Sequence, residues 1–118
     1  MRMMKAFLFA CLGITTIAHA DDIVERGRYL ATAGDCASCH TARNGKPFAG
    51  GRVIATPFGP IPAPNLTPDA ETGIGGWSAD DFFQALHEGK GRDGTSLYPA
   101  FPFTSYTKVT RSHSAAIL

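Results

Sequence analysis

Five consecutive residues, Cys36-Ala37-Ser38-Cys39-His40, place two thiols and an imidazole within one turn of chain. On a helix, positions i and i+3 share a face, so Cys36 and Cys39 can both reach one edge of a flat ligand. The C-x-x-C-H spacing is that of covalent haem attachment, in which each thiol adds to one of two neighbouring vinyl groups and forms a thioether. His40 follows at once, and its ring can swing beneath the tethered macrocycle to bind the iron as proximal ligand. Two other chemistries use such a cysteine pair. A thiol-disulfide redox motif expects a strand running into the turn and a βαβ context, whereas the residues before Cys36 follow a helical pattern. A structural zinc site needs four ligands; beyond residue 20 the chain has two cysteines and three histidines, with no second paired knuckle.

The compartment is read from the amino terminus. Arg2 and Lys5 precede an apolar run from Ala6 to Ala18, and Ala18-His19-Ala20 stands before two aspartates. That is the grammar of a cleavable signal peptide over residues 1–20, with the mature domain, residues 21–118, exported to the periplasm. Cys11 within the run admits a lipoprotein alternative, which would leave only a few apolar residues before the cysteine. The run is too short to span a bilayer as a helix, and no later stretch is apolar enough, so no transmembrane segment is expected in the mature chain. Cleavage leaves 98 of 118 residues, one domain of a size that buries too little surface to be comfortably stable without help. A buried haem would be that help. Without Arg2 and Lys5 the chain carries nine Lys/Arg against ten Asp/Glu, and neither sign clusters enough to argue for nucleic acid.

The elements that must position the C-x-x-C-H turn follow from periodicity. Asp21 and Asp22 are placed to cap a first helix running to about Ala33, with Ile23, Gly27 and Leu30 forming one buried stripe and Gly34 ending it. Gly27 inside that helix costs about 1 kcal/mol against Ala, a cost explained by another helix crossing closely there. From Thr41 to Gly76 no period holds; Asn44-Gly45, Gly50-Gly51 and prolines at 57, 60, 62, 64 and 68 predict a long ordered loop. A loop of that length in a small domain needs something to wrap. Phe48, Ile54, Phe58, Ile61 and Leu66 are its expected walls against a porphyrin, the alternative being that they pack only on one another. A carbonyl between Pro57 and Pro64 is expected to accept the second ring N–H of His40. Ser78 and Asp81 form a capping box for a second helix, Ala79 to about Glu88, with Phe82, Ala85 and Leu86 on one face and Gly89 as the stop. Lys90 to Tyr106 is again loop, and a short last helix starts near Thr110.

This order of features resembles the haem domains of the cytochrome c subunits of bacterial membrane-bound alcohol, aldehyde and gluconate dehydrogenases, and matches the first such domain. The resemblance runs from about Gly27 to Lys108. It rests on Gly27-Arg28-Tyr29-Leu30, the C-x-x-C-H turn with Thr41, Phe48-Ala49-Gly50-Gly51, Thr56-Pro57-Phe58-Gly59, Pro64-Asn65-Leu66-Thr67-Pro68-Asp69, Gly73-Ile74-Gly75-Gly76-Trp77, and Gly94 through Tyr106. It implies an all-α, cytochrome c-like fold wrapped around covalent haem c, with long Gly/Pro-rich loops. The implied activity is single-electron transfer rather than catalysis, from a quinoprotein or flavoprotein dehydrogenase towards ubiquinone.

Two departures set this chain apart. The family carries its distal methionine ligand where this sequence has Phe101, and the methionines here are Met1, Met3 and Met4, all in the leader. The distal iron position is therefore open or filled by His87, His113 or an exogenous group, and a five-coordinate haem protein that binds a small gas or peroxide is the rival function. The family's last helix also runs on for several turns and packs across the first, whereas Thr110 to Leu118 allows barely two turns; a truncated, functionless remnant is a third reading. Amino-terminal sequencing of the exported protein is expected to begin at Asp21, and a lipid on Cys11 or recovery of intact Met1 would overturn the signal-peptide reading.

Overall fold

Gly27 is where the first and last described helices meet. The computed structural model describes residues 17–97 and 100–118; the leader up to Thr16, with Cys11, and the pair Tyr98-Pro99 lie outside the described residues. Helix α1 (Ile17–Ala33) packs on α4 (Arg111–Ile117), and a Cβ at Gly27 would overlap the carbonyl group of Ala116. The close crossing expected at Gly27 is thus made, and by a helix of only seven residues. No described element covers the preceding turn, so Ile23 is 55% exposed rather than part of a buried stripe. The start of α1 also differs from expectation: it begins at Ile17, and Asp21 and Asp22 lie inside it instead of capping it. Residues 17–20 include two alanines that extend a helix at little cost, so no cap is needed at Asp21. The carboxyl end falls at Ala33 as expected, where Gly34 N donates to Leu30 O (2.8 Å) and Asp35 takes a left-handed conformation (φ 53°) that turns the chain into α2 (Cys36–His40).

The fold is not purely helical. Within the long loop, β1 (Val53–Thr56) and β2 (Gly59–Pro62) pair antiparallel, with Ile54 opposite Ile61. Thr56 closes the turn: its hydroxyl accepts from Phe58 N (3.2 Å) and donates to Gly59 O (2.6 Å). Proline within a run argues against a strand unless the strand is at an edge. Pro60 and Pro62 stand two residues apart in β2, so both turn their missing N–H to the same side, which in a two-stranded ribbon is free.

Helix α3 (Ala79–Glu88) has the bounds, capping box and left-handed Gly89 stop expected of it: Asp81 N donates to Ser78 Oγ (3.1 Å) and Ser78 N to Asp81 Oδ2 (2.8 Å). Phe82, Ala85 and Leu86 are buried and, with Ala63, are the buried apolar residues of the described chain. The other side of α3 holds α4, which is capped by Thr110 through its side chain. There Arg111 lies over the Phe83 ring (4.2 Å) and pairs with Asp80. The 3₁₀ turn Phe103–Ser105 packs on α3. Among the described residues no helix is long and apolar enough to cross a membrane.

Ser114 in α4 is fully buried, and its hydroxyl has no partner among the described residues. A buried, unpaired hydroxyl is destabilising, so Ser114→Ala is expected to raise the stability by about 1 kcal/mol. Gly27→Leu, by contrast, drives a side chain into the Ala116 carbonyl and is expected to cost about 2 kcal/mol or more. Urea unfolding followed by circular dichroism checks both.

Candidate functional site

Helix α2 is a single turn, and its three reactive side chains share one cleft of about 900 Å³. Cys36 is half-buried and Cys39 exposed; both are free thiols. Burial pushes the Cys36 thiol above its ordinary value, so it is protonated at neutral pH. A redox-active C-x-x-C pair depends on the opposite shift, and no strand enters this turn. Among the described residues, no three His, Cys, Asp or Glu side chains gather around a common point as metal ligands.

His40 is held by its ring. The Nδ1–H donates to the carbonyl of Pro64 (2.8 Å), which lies within the span expected to supply that partner. A carbonyl only accepts, so Nδ1 carries the proton and the lone pair of the neutral ring is on Nε2. The backbone around this contact is stitched closely: Gly50 N donates to His40 O, Gly51 N to Ala63 O and Leu66 N to Phe48 O, each at 2.8 Å. Gly50 has a left-handed φ of 74°, and a Cβ there would meet the backbone of Ala63, Pro64 and Asn65 at 2.6–2.7 Å. Its lack of a side chain is what lets the Pro64 segment come within reach of His40. Phe48 adopts φ 60°, uncommon for a bulky residue, while its N–H donates to Thr41 Oγ1 (3.1 Å).

The expected walls are met in part. Ile54, Ile61 and Leu66 line the cleft; Phe48 and Phe58 do not. Phe58 sits at the hairpin tip, 81% exposed, and the Phe48 backbone joins the loop through Thr41 Oγ1 and Leu66 N. From α3, Phe82, Ala85 and Leu86 line the cleft, joined by Trp77 and, from the following segment, Leu97, Ala100 and Phe101. Phe101 stacks on Tyr106 (5.2 Å between centroids), whose hydroxyl donates to Gly34 O (2.9 Å) and so ties this wall to the end of α1. The structure brings neither His87 nor His113 to the cleft. His87 stacks on Phe83 (4.0 Å) with Nε2 bonded to Val109 O, and His113 Nε2 meets Arg26 (2.8 Å). Both rings are committed on the far side of α3 and α4.

Two aspartates, Asp69 and Asp93, brace the loops in roles that sequence reasoning did not assign, beside Asp81 of the expected capping box. Asp69 Oδ1 accepts from Thr72 N (2.7 Å), Thr72 Oγ1 (2.9 Å) and Glu71 N (3.1 Å). Thr72 Oγ1 in turn accepts from Asn65 Nδ2 (3.0 Å), next to Pro64. Asp93 is bonded by Thr95 and Asp81 by Ser78. The Thr72 backbone N–H holds Asp69 below the usual carboxylate range, the Ser78 N–H does the same for Asp81, and the Thr95 hydroxyl for Asp93. A folded-state pKa below the unfolded value gives stability that is present above the unfolded pKa, about 3.9, and is lost as pH falls through the folded value. Thermal melts from pH 6 downwards are expected to stay level until about pH 4 and then fall, and Asp69→Asn is expected to flatten part of that fall.

No family model matches the chain. The gluconate 2-dehydrogenase cytochrome c subunit of Pantoea cypripedii is 47% identical to it over 98% of this chain and 27% of that subunit. The cytochrome c subunit of the quinone alcohol dehydrogenase of Gluconobacter oxydans is 40% identical over 87% of this chain and 23% of the subunit. A diheme cytochrome c-type protein of Cereibacter sphaeroides is 42% identical over 71% of this chain and 30% of its own length. The chain thus spans about a quarter of the length of these two dehydrogenase subunits. Over that span the chain is a cytochrome c domain resembling those of the cytochrome c subunits of bacterial dehydrogenases, a likeness that implies covalently bound haem c.

Proposed function

We propose that this chain is a periplasmic electron-transfer protein, in which Cys36 and Cys39 hold haem c through thioethers and His40 Nε2 is the proximal iron ligand. The observation that carries this reading is the convergence of two free thiols and an oriented imidazole on one cleft, with His40 Nδ1 taken by Pro64 O. The remaining walls suit a flat apolar ring: Ile54, Ile61 and Leu66 on one side, and Phe82, Leu86 and Trp77 from α3 and its approach. Haem supplies one-electron chemistry; the chain's residues bind and orient it and keep water from its faces. The Nδ1–H bond to a carbonyl makes Nε2 a better donor and fixes the plane of the ring.

The relatives named as dehydrogenase subunits support a redox partner protein, and we assign this chain the part of electron carrier rather than of catalytic subunit. A quinoprotein or flavoprotein dehydrogenase is the proposed donor and ubiquinone the proposed acceptor side of the chain. Export by the leader of residues 1–20 places it where haem attachment to cysteines takes place.

The test is covalent haem. Denatured protein from the periplasm is expected to stain for haem peroxidase activity on a gel, and Cys36→Ser with Cys39→Ser to lose the stain. His40→Ala should keep the thioethers but shift the absorption spectrum. A periplasmic wild-type band without haem, or carrying a reversible Cys36–Cys39 disulfide, would refute the proposal.

A further inference from the structure

The cleft has charged and polar groups among its apolar walls, and they bear on how a haem is oriented in it, an inference that rests on the haem reading above. Haem carries two propionate carboxylates on the edge of the macrocycle opposite its two vinyl groups. Thioethers at Cys36 and Cys39 would fix the vinyl edge at α2, which packs on α1, and so turn the carboxylate edge towards the other walls. Among the described residues of the lining, Arg92 is the side chain with a permanent positive charge. It is anchored on the approach to α3. Its Nε stands 3.9 Å from Oδ2 of Asp81, in the first turn of that helix. Its Nη1 lies against Gly76, where a Cβ would come within 3.1 Å.

We propose that Arg92 is the residue that receives a haem propionate. The Asp81 contact is too long for a hydrogen bond, so it orients the guanidinium without taking up its donors. A guanidinium presents those donors in a planar fork that matches a carboxylate. The Arg92 side chain is 58% exposed, and a carboxylate at such a rim keeps its water, which an enclosed one loses at a cost. The two carboxylates of the lining are engaged elsewhere or lie at the other edge. Asp93 folds into its own turn, accepting from Thr95 N (3.1 Å) and Oγ1 (2.7 Å), which also occupies the Thr95 hydroxyl. Asp35 immediately precedes Cys36, at the thioether edge. Ser96, bridged to Lys90 through the backbone, adds only a neutral hydroxyl to this wall. A cation at the propionate has a redox consequence. Reduction adds an electron to the haem, and a neighbouring positive charge stabilises the reduced form and raises the potential.

The test reads the reduction potential and the resonance Raman bending band of the propionates in haem-bearing protein from the periplasm. Arg92→Gln is expected to lower the potential and shift the band. Arg52→Gln removes the same charge from an exposed residue outside the cleft lining and is expected to leave the band in place and move the potential less. Arg92→Lys keeps the charge and loses the fork, so it should recover part of the potential while the band stays shifted. A potential and a band that respond to Arg92→Gln no more than to Arg52→Gln would overturn the inference and leave the haem reading standing. Should Arg92→Gln yield no haem-bearing protein, the band in Arg92→Lys decides, and an unshifted band there overturns the inference. Wild-type protein without covalent haem removes the electron-carrier reading and this inference with it.

Discussion

The hydrogen bond from His40 Nδ1 to the Pro64 carbonyl is the contact around which this chain is arranged. It joins two segments 24 residues apart, one bearing the thiols and the other the apolar side of the cleft. The close approach needs Gly50, since a Cβ at that position would meet the Pro64 backbone. It also needs the loop after Pro64 to hold its shape, which Asn65, Thr72 and Asp69 do by a relay of hydrogen bonds. A backbone carbonyl is an acceptor that no single side-chain substitution removes, which makes the ring orientation robust.

The same arrangement explains how so small a chain is built. Among the described residues few apolar side chains are buried, and three of them, Phe82, Ala85 and Leu86, form the α3 wall of the cleft. Ile54, Ile61 and Leu66 face the cleft from the opposite segment and are only partly covered. A domain of this length buries a smaller fraction of its surface than a larger one does, and here apolar groups of two segments line a common space. A flat cofactor between them would complete the core. Helix α4 packs on both α1 and α3, through the Gly27–Ala116 crossing and the Arg111–Phe83 contact.

What was legible in the sequence was local. The Ser78–Asp81 box, Gly89, Gly34 and Thr110 each mark a helix end by backbone hydrogen bonds that nearby residues decide, and α3, the carboxyl end of α1 and the start of α4 lie where those signals put them, whereas the start of α1 does not. Gly27 was legible too, because a glycine inside a helix has a cost that only close packing explains. The hairpin was not, since Pro60 and Pro62 argue against a strand until it is known to be an edge. Hydrophobicity says that a side chain seeks cover and not which cover, so Phe48 and Phe58 are not the walls expected: Phe48 is half-buried outside the cleft lining and Phe58 stands exposed at a turn. The roles of Gly50 and Asp69 depend on segments distant in sequence or on loop geometry, and neither has a periodic signal.

On the proposed reading, the α2 turn and the Pro64 segment together hold a covalently attached haem. Mass spectrometry of the peptide spanning Cys36–His40, after alkylation of the denatured periplasmic protein and proteolysis, tests it most directly. The account predicts one peptide that absorbs in the Soret region, carries the mass of one haem and has no alkylated cysteine. A peptide of unmodified backbone mass with both Cys36 and Cys39 alkylated would contradict it.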